Sequence, residues 1–124
     1  MIDLTARELD VMSVLWKSGS GTVAEVREAL AADLAYTTVL SILRIMESKD
    51  LVDHRVEGKA HRYFTLIARE DVGSQGIRRL IDKVFAGSTE ALLLHLVRDN
   101  HLTPKRLAAV RAKLDATLKV KHRS

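Results

Sequence analysis

The side chains best suited to chemistry lie in Ala35-Tyr-Thr-Thr-Val-Leu-Ser-Ile-Leu-Arg-Ile-Met-Glu-Ser-Lys49. On a helix turning about 100° per residue, Thr37, Ser41, Arg44 and Ser48 form one line, and Val39, Ile42, Leu43 and Met46 form an apolar stripe opposite. The polar line carries no carboxylate; Glu47 stands at its flank. Small hydroxyls around a single Arg suit the floor of a DNA major groove, where bulky or acidic side chains are excluded. An ordinary amphipathic core helix with a quiet outer face shows the same pattern, so this helix alone leaves both readings open. In the first, Thr37, Thr38, Ser41 and Arg44 meet base edges. Arg44 can bond a guanine edge bidentately, and Thr methyls or Leu40 can touch thymine methyls.

A second basic group follows. Five of the nine residues from His54 to Arg62 are His, Lys or Arg. Here the pattern has a two-residue period, and Leu51 to Glu57 and Ala60 to Ile67 read as strands around the Gly-first turn Gly58-Lys59. That turn sets Arg55 opposite Arg62, a like-charge pair costing about 0.2–1 kcal/mol. A DNA phosphate between them would remove the cost; splaying of both side chains into water is the alternative. Lys59 and His61 at the same tip favour phosphate contact, so Arg55, Lys59, His61 and Arg62 are the expected backbone contacts.

The elements that must position these groups are legible on both sides. Thr5-Ala-Arg-Glu8 is a capping box opening a helix with Leu9, Met12, Leu15 and Trp16 inward and Val11 and Val14 beside them. It stops at Ser18-Gly-Ser-Gly21. Thr22-Val-Ala-Glu25 is a second capping box, starting a short helix with Val23, Val26 and Leu30 inward that fades near Ala32-Asp33. Three helices and a basic hairpin make a winged helix-turn-helix, expected over residues 1–68.

From Arg69 onward the chain reads as helix. Ile77, Leu80, Ile81, Val84 and Phe85 repeat at helical spacing, Ala86-Gly-Ser88 breaks the run, and Ala91 to Val97 is almost wholly apolar. Asn100 ends that helix, and Thr103-Pro104 starts the last, with Leu107, Val110, Leu114 and Leu118 on one side. Helices this rich in Leu cannot easily cover all their apolar faces alone. Residues 69–124 are therefore expected to form a dimerisation domain around a two-fold axis, through Leu80, Val84, Leu92, Leu93, Leu96, Leu107, Val110 and Leu114. Folding back on the winged helix as a monomer is the alternative.

Composition sets bounds. The chain has 124 residues, net charge +4 and no Cys, which excludes disulfides, thiolate metal sites and a cysteine nucleophile. No apolar run is long enough to insert in a membrane. Met1-Ile2-Asp3 lacks a signal-peptide start, so a cytoplasmic location is expected. Residues 1–66 carry eight Lys/Arg and ten Asp/Glu, a net of −2, which leaves +6 for the remainder. Local placement of the cations, rather than overall basicity, therefore carries the nucleic-acid reading. The acids are scattered on helix faces and no His pair has ligand spacing, so neither an enzyme, a cofactor nor a metal site is assigned. Metal sensing through His54, His61 and a carboxylate is conceivable but lacks a diagnostic spacing.

These stretches also resemble a known family. Leu4-Thr-Ala-Arg-Glu-Leu-Asp-Val-Met12, Leu15-Trp16, Ala35-Tyr-Thr-Thr-Val39, Val56-Glu-Gly-Lys-Ala-His-Arg-Tyr63 and Glu90-Ala-Leu-Leu-Leu-His-Leu96 are similar to the penicillinase-repressor family, the BlaI/MecI/CopY type. The resemblance implies a dimeric winged-helix repressor on dyad operators. In antibiotic-responsive members a membrane sensor metallopeptidase triggers proteolysis of the repressor. Three positions depart from the pattern. Asp50 stands where Gly usually ends the recognition helix, Ile45 where a polar or basic residue is usual, and His95-Leu96 at the aligned Asn-Phe cleavage bond. The copper branch's C-terminal cysteines have no counterpart. The leading expectation is a sequence-specific repressor binding double-stranded operator DNA; the alternative is a winged-helix protein-interaction module.

Overall fold

The computed structural model describes residues 2–123. Six helices and a small sheet follow in the order α1 (Ala6–Ser18), β1 (Gly21–Thr22), α2 (Val23–Ala29), α3 (Tyr36–Ser48), β2 (Val52–Glu57), β3 (Ala60–Thr65), α4 (Arg69–Lys83), α5 (Thr89–Arg98) and α6 (Pro104–Arg123). This is a mainly helical winged helix-turn-helix, with an antiparallel sheet in the order β1-β3-β2.

Local chemistry accounts for the helix starts. Thr5 Oγ1 accepts from the Glu8 amide while Glu8 reaches back to the Thr5 amide, and Thr22 with Glu25 repeats the device. α2 ends at Ala29, three residues before the expected fade, and Arg27 Nε donates to the Leu34 carbonyl at 2.8 Å to close the turn. β1 is a correction. The sequence marks Ser18–Gly21 only as the turn that stops α1, yet Gly21 and Thr22 pair with Tyr63 and Arg62 as a third strand. Gly21 is buried there, and a Cβ would sit 3.1 Å from Val26 Cγ2 and 3.5 Å from Leu15 Cδ2, which favours glycine at this close approach. Leu9 is a second correction. It is 41% exposed, because the face of α1 that turns inward runs through Val11, Met12 and Leu15.

These three residues join Val23, Val26, Val39, Leu43, Met46, Leu51, Val52 and Tyr63 in one core. Truncating a fully buried member such as Leu43 to Ala would cost about 2–5 kcal/mol. Trp16 Nε1 donates to the Ile67 carbonyl at 2.9 Å, and Arg69 lies over its ring at 5.6 Å, so the start of α4 is fastened to α1.

The chain clusters into two units, one up to Gly76 and one from Ile77 onward. In the second unit Ala86 and Gly87 take positive φ, Ser88 Oγ caps α5 by accepting from the Ala91 amide, and Asn100 at φ 60° ends it. Thr103 Oγ1 accepts from the Arg106 amide at the start of α6. No helix among the described residues is long and apolar enough to cross a membrane.

Candidate nucleic-acid interface

The stripe Val39, Leu43 and Met46 is fully buried, which fixes the rotation of α3. Thr37, Thr38, Ser41 and Arg44 are consequently all exposed. Among the described residues Arg44 makes no ion pair and no side-chain hydrogen bond, so its guanidinium is available to a ligand. Ser48 is different: its hydroxyl donates to the Ile45 carbonyl at 2.6 Å and is turned back on the helix. Ile45 is 52% exposed beside this line, an apolar surface that a helical wheel drawn around the polar residues passes over. Ala35, the N-cap of α3, gives no side-chain cap, in contrast to α1 and α2. The first amides of α3 are thus left to solvent or to an anion.

The far end of α3 is anchored. Asp50 takes φ 59°, the left-handed conformation expected where glycine is usual, and turns the chain into β2. Lys49 Nζ lies 3.0 Å from both carboxylate oxygens of Glu8, whose residue is 4% exposed. Burial pushes the Glu8 carboxyl up, but the Thr5 amide and the Lys49 ammonium outweigh it and hold the group below the usual carboxylate value. Forty-one residues separate this pair, which ties the end of α3 to the first turn of α1.

The wing has the expected register, with Arg55 opposite Arg62 and Gly58 at φ 61° in the turn. The two arginines nevertheless part company. Arg62 places Nη1 and Nη2 on Glu25 at 2.9 and 3.0 Å, Nε on Glu57, and Nη1 also 3.4 Å from Ser20 Oγ. Glu25 and Glu57 push this guanidinium further up, and the Arg62 hydrogen bond holds both carboxyls down. In this structure the expected phosphate ligand Arg62 is engaged by two carboxylates. Two carboxylates already neutralise the like-charge cost, and its donors lash β3 to the first turn of α2. Arg55 and Lys59 stay exposed and, among the described residues, without an ion pair. His61 is exposed and stacks on His54 with ring centroids 4.2 Å apart.

A further group collects where α3 meets β2. His54 Nδ1 contacts Glu47 Oε1, and the Asp53 carboxylate, which accepts from the His54 amide at 2.7 Å, comes close to both. Burial raises the Tyr63 hydroxyl beside them, and the Glu47 charge adds to that. The sequence alone groups His54 with His61 and a carboxylate. Nothing in the spacing shows that a helix residue and two adjacent strand residues converge.

The penicillinase repressor family model matches residues 4–116. The transcriptional regulator BlaI of Mycobacterium tuberculosis is 38% identical over 94 residues, 73% of this chain and 68% of that protein. The methicillin resistance regulatory protein MecI of Staphylococcus aureus is 20% identical over 113 residues, 88% and 90% of the two chains. Among solved structures, a mutant MarR from E. coli complexed with operator DNA aligns with a TM-score of 0.54 at 17% identity, over 94% of this chain and 76% of that one. That likeness concerns the fold.

Proposed function

The chain belongs to the penicillinase-repressor family of transcriptional regulators, and from that premise we propose that it represses transcription as a dimer on a dyad operator, reading bases with α3. The observation that carries this reading is the exposed polar line of α3, rigidly presented by a buried stripe and holding an Arg44 without an ion pair among the described residues. In this reading Thr37, Thr38, Ser41 and Arg44 face the major groove and Ile45 offers a thymine methyl an apolar contact. Arg55, Lys59 and His61 hold phosphates from the wing, and the uncapped amides at the start of α3 suit another. Arg62 acts one step back, by fixing the wing on α2.

The dimer rests on the second unit taken by itself. Leu80, Val84, Leu93, Leu107, Val110 and Leu114 are all exposed there, and Leu92 and Leu96 are half-buried. A set of large aliphatic side chains left in water is what a two-fold partner would cover. The family's sensor-triggered release is part of the same proposal. Cleavage at His95-Leu96 would require local opening of α5, since both residues lie inside that helix.

The test is binding of the full chain to a duplex selected from a randomised pool, across a salt series. The log of affinity should fall linearly with the log of salt, one phosphate contact contributing about 0.9 to the slope. Affinity for a scrambled duplex equal to that for the selected one would favour a protein-interaction role instead.

A further inference from the structure

We propose that Glu47, Asp53 and His54 form a binding site for a first-row divalent cation of the zinc, cobalt or nickel class, fastening the last turn of α3 to β2. One ligand atom from each residue, a carboxylate oxygen, a carboxylate oxygen and an imidazole nitrogen, lies within 4.8 Å of the others. Tetrahedral ligands at about 2.0–2.2 Å stand roughly 3.4 Å apart, so the three donors, all within 4.8 Å of one another, exceed that spacing by no more than about 1.4 Å. Two local features have already brought the donors together. Asp50 at φ 59° reverses the chain after α3, which lays His54 against Glu47 seven residues away. Asp53, which would otherwise point to the opposite face of the strand, is folded back by its hydrogen bond from the His54 amide.

The electrostatics favour a cation. The last turn of α3 carries no basic residue and ends in the negative pole of the helix. Lys49, the nearest following cation in sequence, is held by Glu8. Arg44 influences Tyr63 together with Glu47, but makes no ion pair with Glu47 among the described residues. Nδ1 and Oε1 already face each other, and a divalent ion placed between them would bond both in place of their mutual hydrogen bond. His61 is outside the set. Its ring lies parallel to His54, 11° between planes, so an ion in the plane of one imidazole is out of the plane of the other. Solvent would complete the shell, and the mixed oxygen and imidazole donors select against Mg2+, which prefers oxygen alone in an octahedron.

The test is calorimetric titration of Zn2+ into the metal-stripped full chain without DNA, so that its failure is distinct from failure of the DNA-binding reading. One Zn2+ per chain is expected, with no matching response to Mg2+. Glu47→Gln, Asp53→Asn and His54→Ala should each weaken binding about tenfold or more, and His95→Gln, which is not one of the three ligands, should leave it unchanged. Co2+ should broaden the amide resonances of residues 47 and 52–55, which checks the location even where a variant folds poorly. Absence of saturable Zn2+ binding up to about 1 mM would overturn the site, as would Co2+ broadening centred elsewhere or binding untouched by the three substitutions.

Discussion

Lys49→Met removes the ammonium that holds α3 to Glu8 while keeping most of the aliphatic stem. The Glu8 carboxylate then remains buried, with only its hydrogen bond from the Thr5 amide. A charge-assisted hydrogen bond contributes about 1.5–3 kcal/mol. The Lys49 side chain is 39% exposed, so solvent screening brings the expected loss to about 1–2 kcal/mol. For a chain of this length that corresponds to a fall in Tm of roughly 4–8 °C. The pH dependence has a definite sign. The folded-state pKa of Glu8 is lowered, so its contribution is present above the unfolded value, about 4.3, and is lost as pH falls through the folded value. The gap between wild type and Lys49→Met should therefore be widest near pH 7 and should close in acid. Thermal melts of wild type, Lys49→Met, Glu8→Gln and the double variant, at one protein concentration, give the coupling directly. Additive losses at pH 7, or a gap that stays constant into acid, would refute the pair as the anchor of α3.

Other outcomes concern the wing and the dimer. Lys59→Ala and Arg55→Ala should each lower the salt slope of duplex binding by about one unit, whereas Arg62→Ala should weaken binding with the slope unchanged, since its charge is already spent on Glu25 and Glu57; a slope that drops with Arg62 would return that residue to the phosphates. Leu93→Asp and Leu114→Asp should convert the dimer to monomer by light scattering at tens of micromolar, because each sets a carboxylate in the proposed apolar contact. Wild type that is monomeric at that concentration would count against the dimer.

What could be read from the sequence was the part fixed by near neighbours. The capping boxes at Thr5 and Thr22, the Gly58-Lys59 turn with its register, and the buried stripe of α3 all depend on residues within a few positions. β1 escaped because two residues carry no periodicity, and its existence depends on β3 forty residues later. The pairing of Arg62 with Glu25 escapes the sequence for the same reason. Its local partner Arg55 is visible in the hairpin, but Glu25 is 37 residues away. The convergence of Glu47, Asp53 and His54 follows from a left-handed residue and a folded-back carboxylate, neither of which has a spacing signature.

The central claim is that α3 reads sequence through the polar line centred on Arg44. It is tested by titrating wild type and Arg44→Ala against the selected duplex and its scrambled counterpart at one salt concentration. Arg44 is exposed and opposite the buried stripe, so the fold should be unaffected. The substitution should cost about 1–3 kcal/mol on the selected duplex and little on the scrambled one. Equal losses on both would make Arg44 a phosphate contact, and no loss on either would take α3 out of the groove and contradict the account.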